Sequence, residues 1–343
     1  MSKQIFKEKI AQTVDILKEK DIDMWLTFVR ESSINHDAAM DMVVGNNSTW
    51  EAAFIINKDG DTTAIVGDME EENFVKAGLY KNITGYLKSI REPLQEYLKK
   101  KNPEKIAINF SKTSVLADGL THGMFLKLLD HLKGTGFENK LTGAEEIISA
   151  LRGRKSVTEL SIMKEAVDET LKIFDEATNF IRPGVSEIEV AEHIKKITFD
   201  KGFELGWEET HCPAVFAGPN PSGPHMGPSD KKIQKGTLVN MDFMDAIARN
   251  YIIENGYPEY AHGLGHQVGK TVHDGVAGLF PSWERYGNAP FMELEENQVF
   301  TIEPRLPVEG YGVSTLEEEV YLTKEGCEFI STPQLGLILI NTK

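Results

Sequence analysis

Histidines cluster in the second half of the chain, where six of the nine follow residue 190. The segment HGLGH at residues 262–266 places two imidazoles four residues apart, but its glycines argue against a helix that would put both rings on one face. We therefore expect only one of the two to bind a metal. His273 follows closely, and His225 lies between two prolines that limit where its ring can point.

Carboxylates stand at the ends of apolar, strand-like runs in the same half. Asp242, Glu303 and Glu317 each lie where such a run ends or begins. A carboxylate in this position is costly to bury unless a cation or hydrogen bonds compensate its charge. Taken one at a time, each also fits a capping or solvent-exposed role.

Together these groups predict an oxygen-rich site with one or two imidazoles. Such a site suits manganese, cobalt, iron or zinc, and the two cysteines, Cys212 and Cys327, provide neither a thiolate cluster nor a disulfide framework. A divalent ion lowers the pKa of a bound water, and a nearby carboxylate can accept the remaining proton. The pattern therefore indicates hydrolysis.

Two helices precede these segments. Ser156 and Ser186 each have a glutamate three residues later, the spacing of a capping box, and predict helices that run to Ile181 and toward Gly202. Residues 237–243 read as a buried strand, and Met244–Gly256 as a helix. A domain boundary is expected near residue 150.

The first 140 residues alternate helical and extended patterns. Met24–Val29 predicts a strand, and Ala52–Ile56 and Thr62–Val66 predict a hairpin whose turn contains Asp59-Gly60. Lys105–Phe110 predicts a further strand. These elements indicate a mixed α/β domain.

Bulk composition excludes several classes of function. The net charge of -16 repels phosphate backbones, so we expect no nucleic-acid partner. The sequence has no apolar run of about 18 residues and its first residues are charged and amphipathic, so we expect a cytoplasmic protein without a membrane partner.

Five ordered segments, PHMGP, LVNMDF, HGLGHQVGKTVHD, FTIEP and TLEEEVYLT, resemble the pita-bread metallopeptidases, most closely Xaa-Pro dipeptidase (prolidase) and aminopeptidase P. The resemblance covers residues 150–340. It implies an α+β protein, with a pita-bread (creatinase/aminopeptidase) fold in residues 151–343 and a smaller creatinase-like α/β domain in residues 1–150.

The resemblance also implies roles for individual residues. The implied metal ligands are Asp242, His266, Glu303 and Glu317. Glu303 would also be the base for the attacking water. His225 and His273 would hydrogen-bond the scissile carbonyl and the tetrahedral intermediate, and one of them would pass a proton to the leaving proline nitrogen. His262 would line the substrate pocket.

The implied activity is hydrolysis of the Xaa-Pro bond in dipeptides or short peptides. It would use two divalent ions, drawn from manganese, cobalt, zinc or iron. Relatives are commonly homodimers, so we expect the same here.

One departure from the family follows Phe243. Family members continue through a hairpin that carries a second metal-binding aspartate and then through further helical sequence, whereas here the predicted helix begins at once. Several dozen residues have no counterpart. Three explanations are open: residues omitted from the sequence, an engineered deletion, or natural loss. We favour the first.

Two alternatives to the peptidase stay open. The missing aspartate suggests a catalytically silent pita-bread binding protein that holds one ion or none. A metal-free hydrolase similar to creatinase would share the fold, but the four retained candidate ligands disfavour it.

Overall fold

The computed structural model describes residues 2–218, 227–241, 262–308 and 310–340. The chain divides into two units after residue 152. None of the helices within these ranges is long and apolar enough to cross a lipid bilayer.

The first unit is built on one mixed sheet. Its strands are β1 (Met24–Val29), β2 (Ala52–Asn57), β3 (Thr62–Gly67), β4 (Asn82–Tyr86), β5 (Ile106–Ile108) and β6 (Leu141–Gly143). They lie in the order β4-β3-β2-β1-β5-β6. The pairs β1-β2 and β2-β3 are antiparallel, and the pairs β3-β4, β1-β5 and β5-β6 are parallel. Its helices are α1 (Lys3–Glu19), α2 (Met40–Val43), α3 (Glu71–Ala77), α4 (Arg91–Lys101), α5 (His122–Leu132) and α6 (Glu145–Gly153).

Helices cover both faces of this sheet. Side chains alternate along a strand, so Leu26 and Phe28 of β1 join a buried cluster with α4 and α5, whereas Trp25 and Val29 join another with α1 and α6. Because both faces are packed, β1, β2 and β3 are buried throughout. The mixed α/β character predicted for the first 140 residues is confirmed.

The predicted hairpin is also confirmed. β2 and β3 pair antiparallel, and Gly60 in the turn has φ 82°, a conformation that favours glycine. The strand predicted at Lys105–Phe110 is shorter, since β5 pairs with its neighbours only over Ile106–Ile108.

The second unit combines two helices with short antiparallel strands. The helices are α7 (Val157–Phe180) and α8 (Glu187–Asp200). The strands are β7 (Val215–Ala217), β8 (Val239–Met241), β9 (Gly265–His266), β10 (Gly278–Leu279), β11 (Val299–Ile302), β12 (Arg305–Val308), β13 (Gly312–Thr315), β14 (Glu318–Thr323) and β15 (Gly326–Phe329). They pair as β7-β8, β9-β10, β11-β14-β15 and β12-β13.

One strand differs from its prediction. β8 spans Val239–Met241. Within it Asn240 is buried, whereas Val239 and Met241 are partly exposed. The continuation of the predicted strand to Phe243 and the predicted helix Met244–Gly256 lie outside the described residues.

Both predicted capping boxes are present. Ser186 Oγ accepts a hydrogen bond from Glu189 N, and Ser186 N donates to Glu189 Oε2 at 2.7 Å. Lys232 also contacts this carboxylate and, together with the capping bonds, lowers the pKa of Glu189 to about 2. Ser156 and Glu159 make the same pair of bonds at the start of α7.

Replacing Ser186 with alanine should lower the free energy of unfolding by about 1 kcal/mol, because one backbone donor at the start of α8 loses its partner. Ser186 is buried, so water does not readily replace the hydroxyl. Urea denaturation followed by circular dichroism measures the loss. Ser161→Ala, at an exposed position inside α7, is the control and should be neutral or slightly stabilising. Equal stability of the two variants would contradict the prediction.

Candidate active site

Strand pairing places four polar side chains on one face of the β11-β14 ladder. Thr301 pairs with Glu319 and Ile302 pairs with Glu318. Since side chains alternate, Glu303 and Glu317, one step beyond the last pair, point to the same side as Thr301 and Glu319. On the opposite side, Phe300 and Val320 pack with Ala277 in a buried apolar cluster. The polar side is the candidate site.

His266 is attached to this face through Thr301. The Thr301 hydroxyl accepts a hydrogen bond from His266 N and donates one to His266 O, both at 2.9 Å. Glu303 N donates to Leu264 O at 2.7 Å, which joins the end of β11 to the segment before β9. As a result His266 Nε2 lies 3.7 Å from Glu303 Oε1.

This imidazole is neutral near pH 7. Burial, assisted by the neighbouring His273 ring at a centroid distance of 4.1 Å, lowers the pKa of His266 to about 4. Its Nδ1 lies 3.2 Å from Gln267 O, and a carbonyl oxygen only accepts hydrogen bonds. The ring therefore carries its proton on Nδ1 and presents the lone pair of Nε2 toward Glu303. A cation between these two acceptors would bind both.

The glycines of the histidine segment permit close approach. A Cβ atom on Gly265 would collide with the backbone of Thr301, and one on Gly263 would collide with the ring of Phe280. The expectation that residues 262–266 are not helical is confirmed, because β9 occupies Gly265–His266.

A buried ion pair lies beside the same segment. Lys155 Nζ is 3.0 Å from Asp274 Oδ2, and the two side chains are 1% and 3% exposed. Asp274 Oδ2 also accepts a hydrogen bond from Lys270 N, and Asp274 N donates to Gln267 O. These bonds hold the loop between His266 and His273 to Lys155, which lies two residues before α7.

A cavity of about 440 Å³ opens on the polar face. Ile173 and Phe174 of α7 and Trp207 form part of its apolar wall. Its polar wall includes Thr301, Glu317 and Glu319, and Met241 at the end of β8 also lines it. The cavity thus brings carboxylates and apolar side chains together within the second unit.

Glu319 was not among the residues predicted from the sequence. Burial, assisted by Glu318, raises the pKa of Glu319 to about 7, and Lys155 opposes this only in part. Its Oε2 is buried and has no hydrogen-bond partner in the described part of the chain. The spacing of Glu317 and Glu319, two residues apart in a strand-like run, is the signal that could have indicated a shared face.

The other predicted residues are distributed as follows. His262 is half-buried, with Nδ1 2.6 Å from Gly263 O, and His273 is exposed beside His266. Glu317 lines the cavity. Asp242 and His225 lie outside the described residues. Within the described ranges, no three His, Cys, Asp or Glu side chains already form a group that could hold a metal ion.

The donor set nevertheless fits a hard or borderline divalent ion. A neutral imidazole faces a carboxylate, and a buried carboxylate oxygen without a donor lies on the same face. Carboxylate oxygens with one imidazole are ligands for manganese, cobalt, iron or zinc.

Comparison with known proteins decides the family. The model of metallopeptidase family M24 matches residues 161–244 and 243–324. The second unit belongs to metallopeptidase family M24. The match supports a metallopeptidase of the M24 type, a family that uses divalent metal ions.

Solved structures share the fold along nearly the whole chain. The Xaa-Pro dipeptidase from Bacillus anthracis aligns with a TM-score of 0.70 at 22% identity, covering 97% of this chain and 99% of that one. The prolidase from Pyrococcus horikoshii aligns with a TM-score of 0.64 at 21% identity, covering 96% and 100%. The predicted pita-bread fold is confirmed.

Curated relatives are similarly distant. An uncharacterised peptidase of Staphylococcus aureus strain USA300 is 24% identical, covering 81% of this chain and 87% of its own length. The Xaa-Pro dipeptidase of Pyrococcus horikoshii is 25% identical, covering 76% and 89%.

The M24 match also bears on the residues after Phe243. The two matched stretches meet at residues 243 and 244, where the sequence predicts missing family segments. The alignment with the Staphylococcus aureus peptidase runs over 331 positions but includes only 81% of this chain of 343 residues. Several dozen aligned positions therefore have no counterpart here, which agrees with the expected shortening.

Proposed function

We propose that this M24 peptidase hydrolyses the Xaa-Pro bond of dipeptides or short peptides with the help of bound divalent ions. The observation that carries the proposal is the 3.7 Å approach of His266 Nε2 to Glu303 Oε1. Two acceptors that face each other at this distance, beside Glu317, are suited to a shared cation. The prolidases and Xaa-Pro dipeptidases among the similar proteins support the choice of substrate.

The proposed metal ligands are Asp242, His266, Glu303 and Glu317. A divalent ion supplies an activated water near neutral pH. Glu303 accepts a proton from the attacking water, a step for which its half-exposed carboxylate is suited. The neutral His266 needs no deprotonation to act as a ligand at this pH.

Three histidines would act on the substrate. His273 lies at the exposed side of His266 and would hydrogen-bond the scissile carbonyl and the tetrahedral intermediate. His225 would hydrogen-bond the same groups, and one of the two histidines would pass a proton to the proline nitrogen. His262 would line the substrate pocket. The proposal includes a cytoplasmic homodimer, on the strength of the family resemblance.

The test uses the full chain, stripped with EDTA and reloaded with Mn²⁺ or Co²⁺. Ala-Pro should be hydrolysed at least about tenfold faster than Ala-Ala, because the pocket must accept the proline ring. Comparing Ala-Pro with Ala-Pro-Ala separates a dipeptidase from an aminopeptidase. Failure to cleave either proline peptide by a chain shown to contain metal would overturn the proposal.

The shortened sequence favours a second candidate, a catalytically silent binding protein. The split match to the family model at residues 243–244 is the observation behind it. Metal analysis discriminates the two. Two ions per chain together with turnover support the peptidase, whereas a chain that takes up no ion and turns over no peptide supports the binding protein.

A further inference from the structure

Glu319 shares its face with the proposed metal ligands. It lies two residues after Glu317, so the two Cα atoms are separated by roughly 6.5–7 Å along the strand. Its partner across the ladder is Thr301, whose hydroxyl holds the backbone of His266. Glu317 and Glu319 also line the same cavity. Glu319 therefore shares one strand face and one cavity with Glu317, and it lies across the ladder from the residue that holds His266.

The strand around Glu319 is held in place from the other side. Glu319 N donates to Ser331 Oγ at 3.2 Å. The preceding Glu318 points away from the cavity, where Ser331 Oγ and Gln334 N donate to its carboxylate. Glu318 thus has a structural role with satisfied oxygens, and the two adjacent glutamates differ in what surrounds them.

One carboxylate oxygen of Glu319 lacks such a donor. Its Oε2 is buried without a hydrogen-bond partner in the described part of the chain. A buried carboxylate in this condition is destabilising unless a cation compensates it. The neighbouring cation, Lys155, is engaged with Asp274 at 3.0 Å. Lys155 is thus shared between two carboxylates, and a bound metal ion would supply Glu319 with further positive charge.

We propose that Glu319 is an additional carboxylate ligand of the metal centre. The proposal rests on the proposed function. Among the described residues, it would add a third carboxylate to the proposed ligands His266, Glu303 and Glu317.

The test measures metal binding by the full chain, with Co²⁺ alone as the probe. Isothermal titration and elemental analysis of the wild type should find two ions per chain. Glu319→Gln keeps the shape but removes the charge, so it should lose one ion or bind it at least about tenfold more weakly. Glu328→Gln, an exposed glutamate on β15 of the same sheet, is the matched control and should bind as the wild type does.

Thermal unfolding gives a second readout that separates a metal ligand from a structural residue. In EDTA, Glu319→Gln should unfold at the same temperature as the wild type or higher, because it removes a carboxylate with a buried oxygen that accepts no hydrogen bond. Addition of Co²⁺ should then raise the unfolding temperature of the wild type more than that of the variant. A variant that is already less stable in EDTA, with an unchanged response to Co²⁺, would overturn the proposal.

The two proposals fail in different ways. If the wild type binds Co²⁺ and Glu319→Gln binds it equally well, the role of Glu319 is wrong and the metallopeptidase proposal stands. If the wild type binds no Co²⁺, the proposed metal chemistry fails and the role of Glu319 fails with it.

Discussion

Replacing Lys155 with methionine should lower the free energy of unfolding of the second unit by about 3–5 kcal/mol. Methionine retains much of the side-chain volume but leaves the Asp274 carboxylate buried without its ammonium partner, which lies 3.0 Å away in the native protein. The backbone donor Lys270 N remains, yet it does not neutralise the charge. Urea denaturation of the full chain, followed by circular dichroism, measures the change.

Two further variants make this result interpretable. Lys324→Met removes an exposed ammonium 3.9 Å from Glu296 and should cost less than about 1 kcal/mol. In Lys155→Met/Asp274→Asn neither charge of the pair is left, so the double variant should lose less than the sum of the two single losses. Two outcomes would show that the buried Lys155–Asp274 pair does not stabilise the fold as expected. One is strictly additive losses of unfolding free energy in the double variant, and the other is a Lys155→Met variant as stable as Lys324→Met.

Replacing Glu303 with glutamine should reduce kcat/KM for Ala-Pro by roughly 10²–10⁴-fold, the usual contribution of a general base. Glutamine keeps the size of the side chain but neither accepts the proton of the attacking water nor presents a charged oxygen 3.7 Å from His266. The loss should fall mainly on kcat, because the group acts on the reacting atoms. Steady-state kinetics with Co²⁺-loaded protein, with metal content measured in parallel, gives both values.

The matched control for this experiment is Glu325→Gln, an exposed residue in the turn after β14. It should leave kcat, KM and metal content unchanged. Glu303→Gln protein that retains full metal content and more than a tenth of the wild-type kcat/KM, a margin set by the size of general-base effects, would rule out the assignment of Glu303 as the base.

Local elements were predictable because their determinants are close in sequence. The capping boxes at Ser156 and Ser186 depend on a side chain and a backbone group three residues apart. The β2-β3 hairpin depends on the turn residues around Gly60. In both cases the interacting atoms belong to one short segment, so the sequence pattern already contains the structure.

Strand lengths were less predictable because pairing sets them. The apolar pattern of Lys105–Phe110 extends over six residues, but β5 is limited to the three that pair with both β1 and β6. Likewise β8 pairs with β7 over Val239–Met241, and its neighbours decide that only Asn240 is buried. Apolar patterning indicates that a strand exists, whereas its ends depend on partners far along the chain.

The sequence by itself determined the chemistry available to this M24 peptidase: imidazoles and carboxylates in a fixed order, with too few cysteines for a thiolate site. Only the tertiary structure decided which groups meet. His266 and Glu303 approach because Thr301 joins β9 to β11, and Glu319 shares the face of Glu317 because β14 pairs in one register with β11. Lys155 and Asp274, 119 residues apart, form a buried pair that no local pattern predicts. The sequence specifies the residue types and their order, but the distances between side chains and their burial are set only when distant segments pack together.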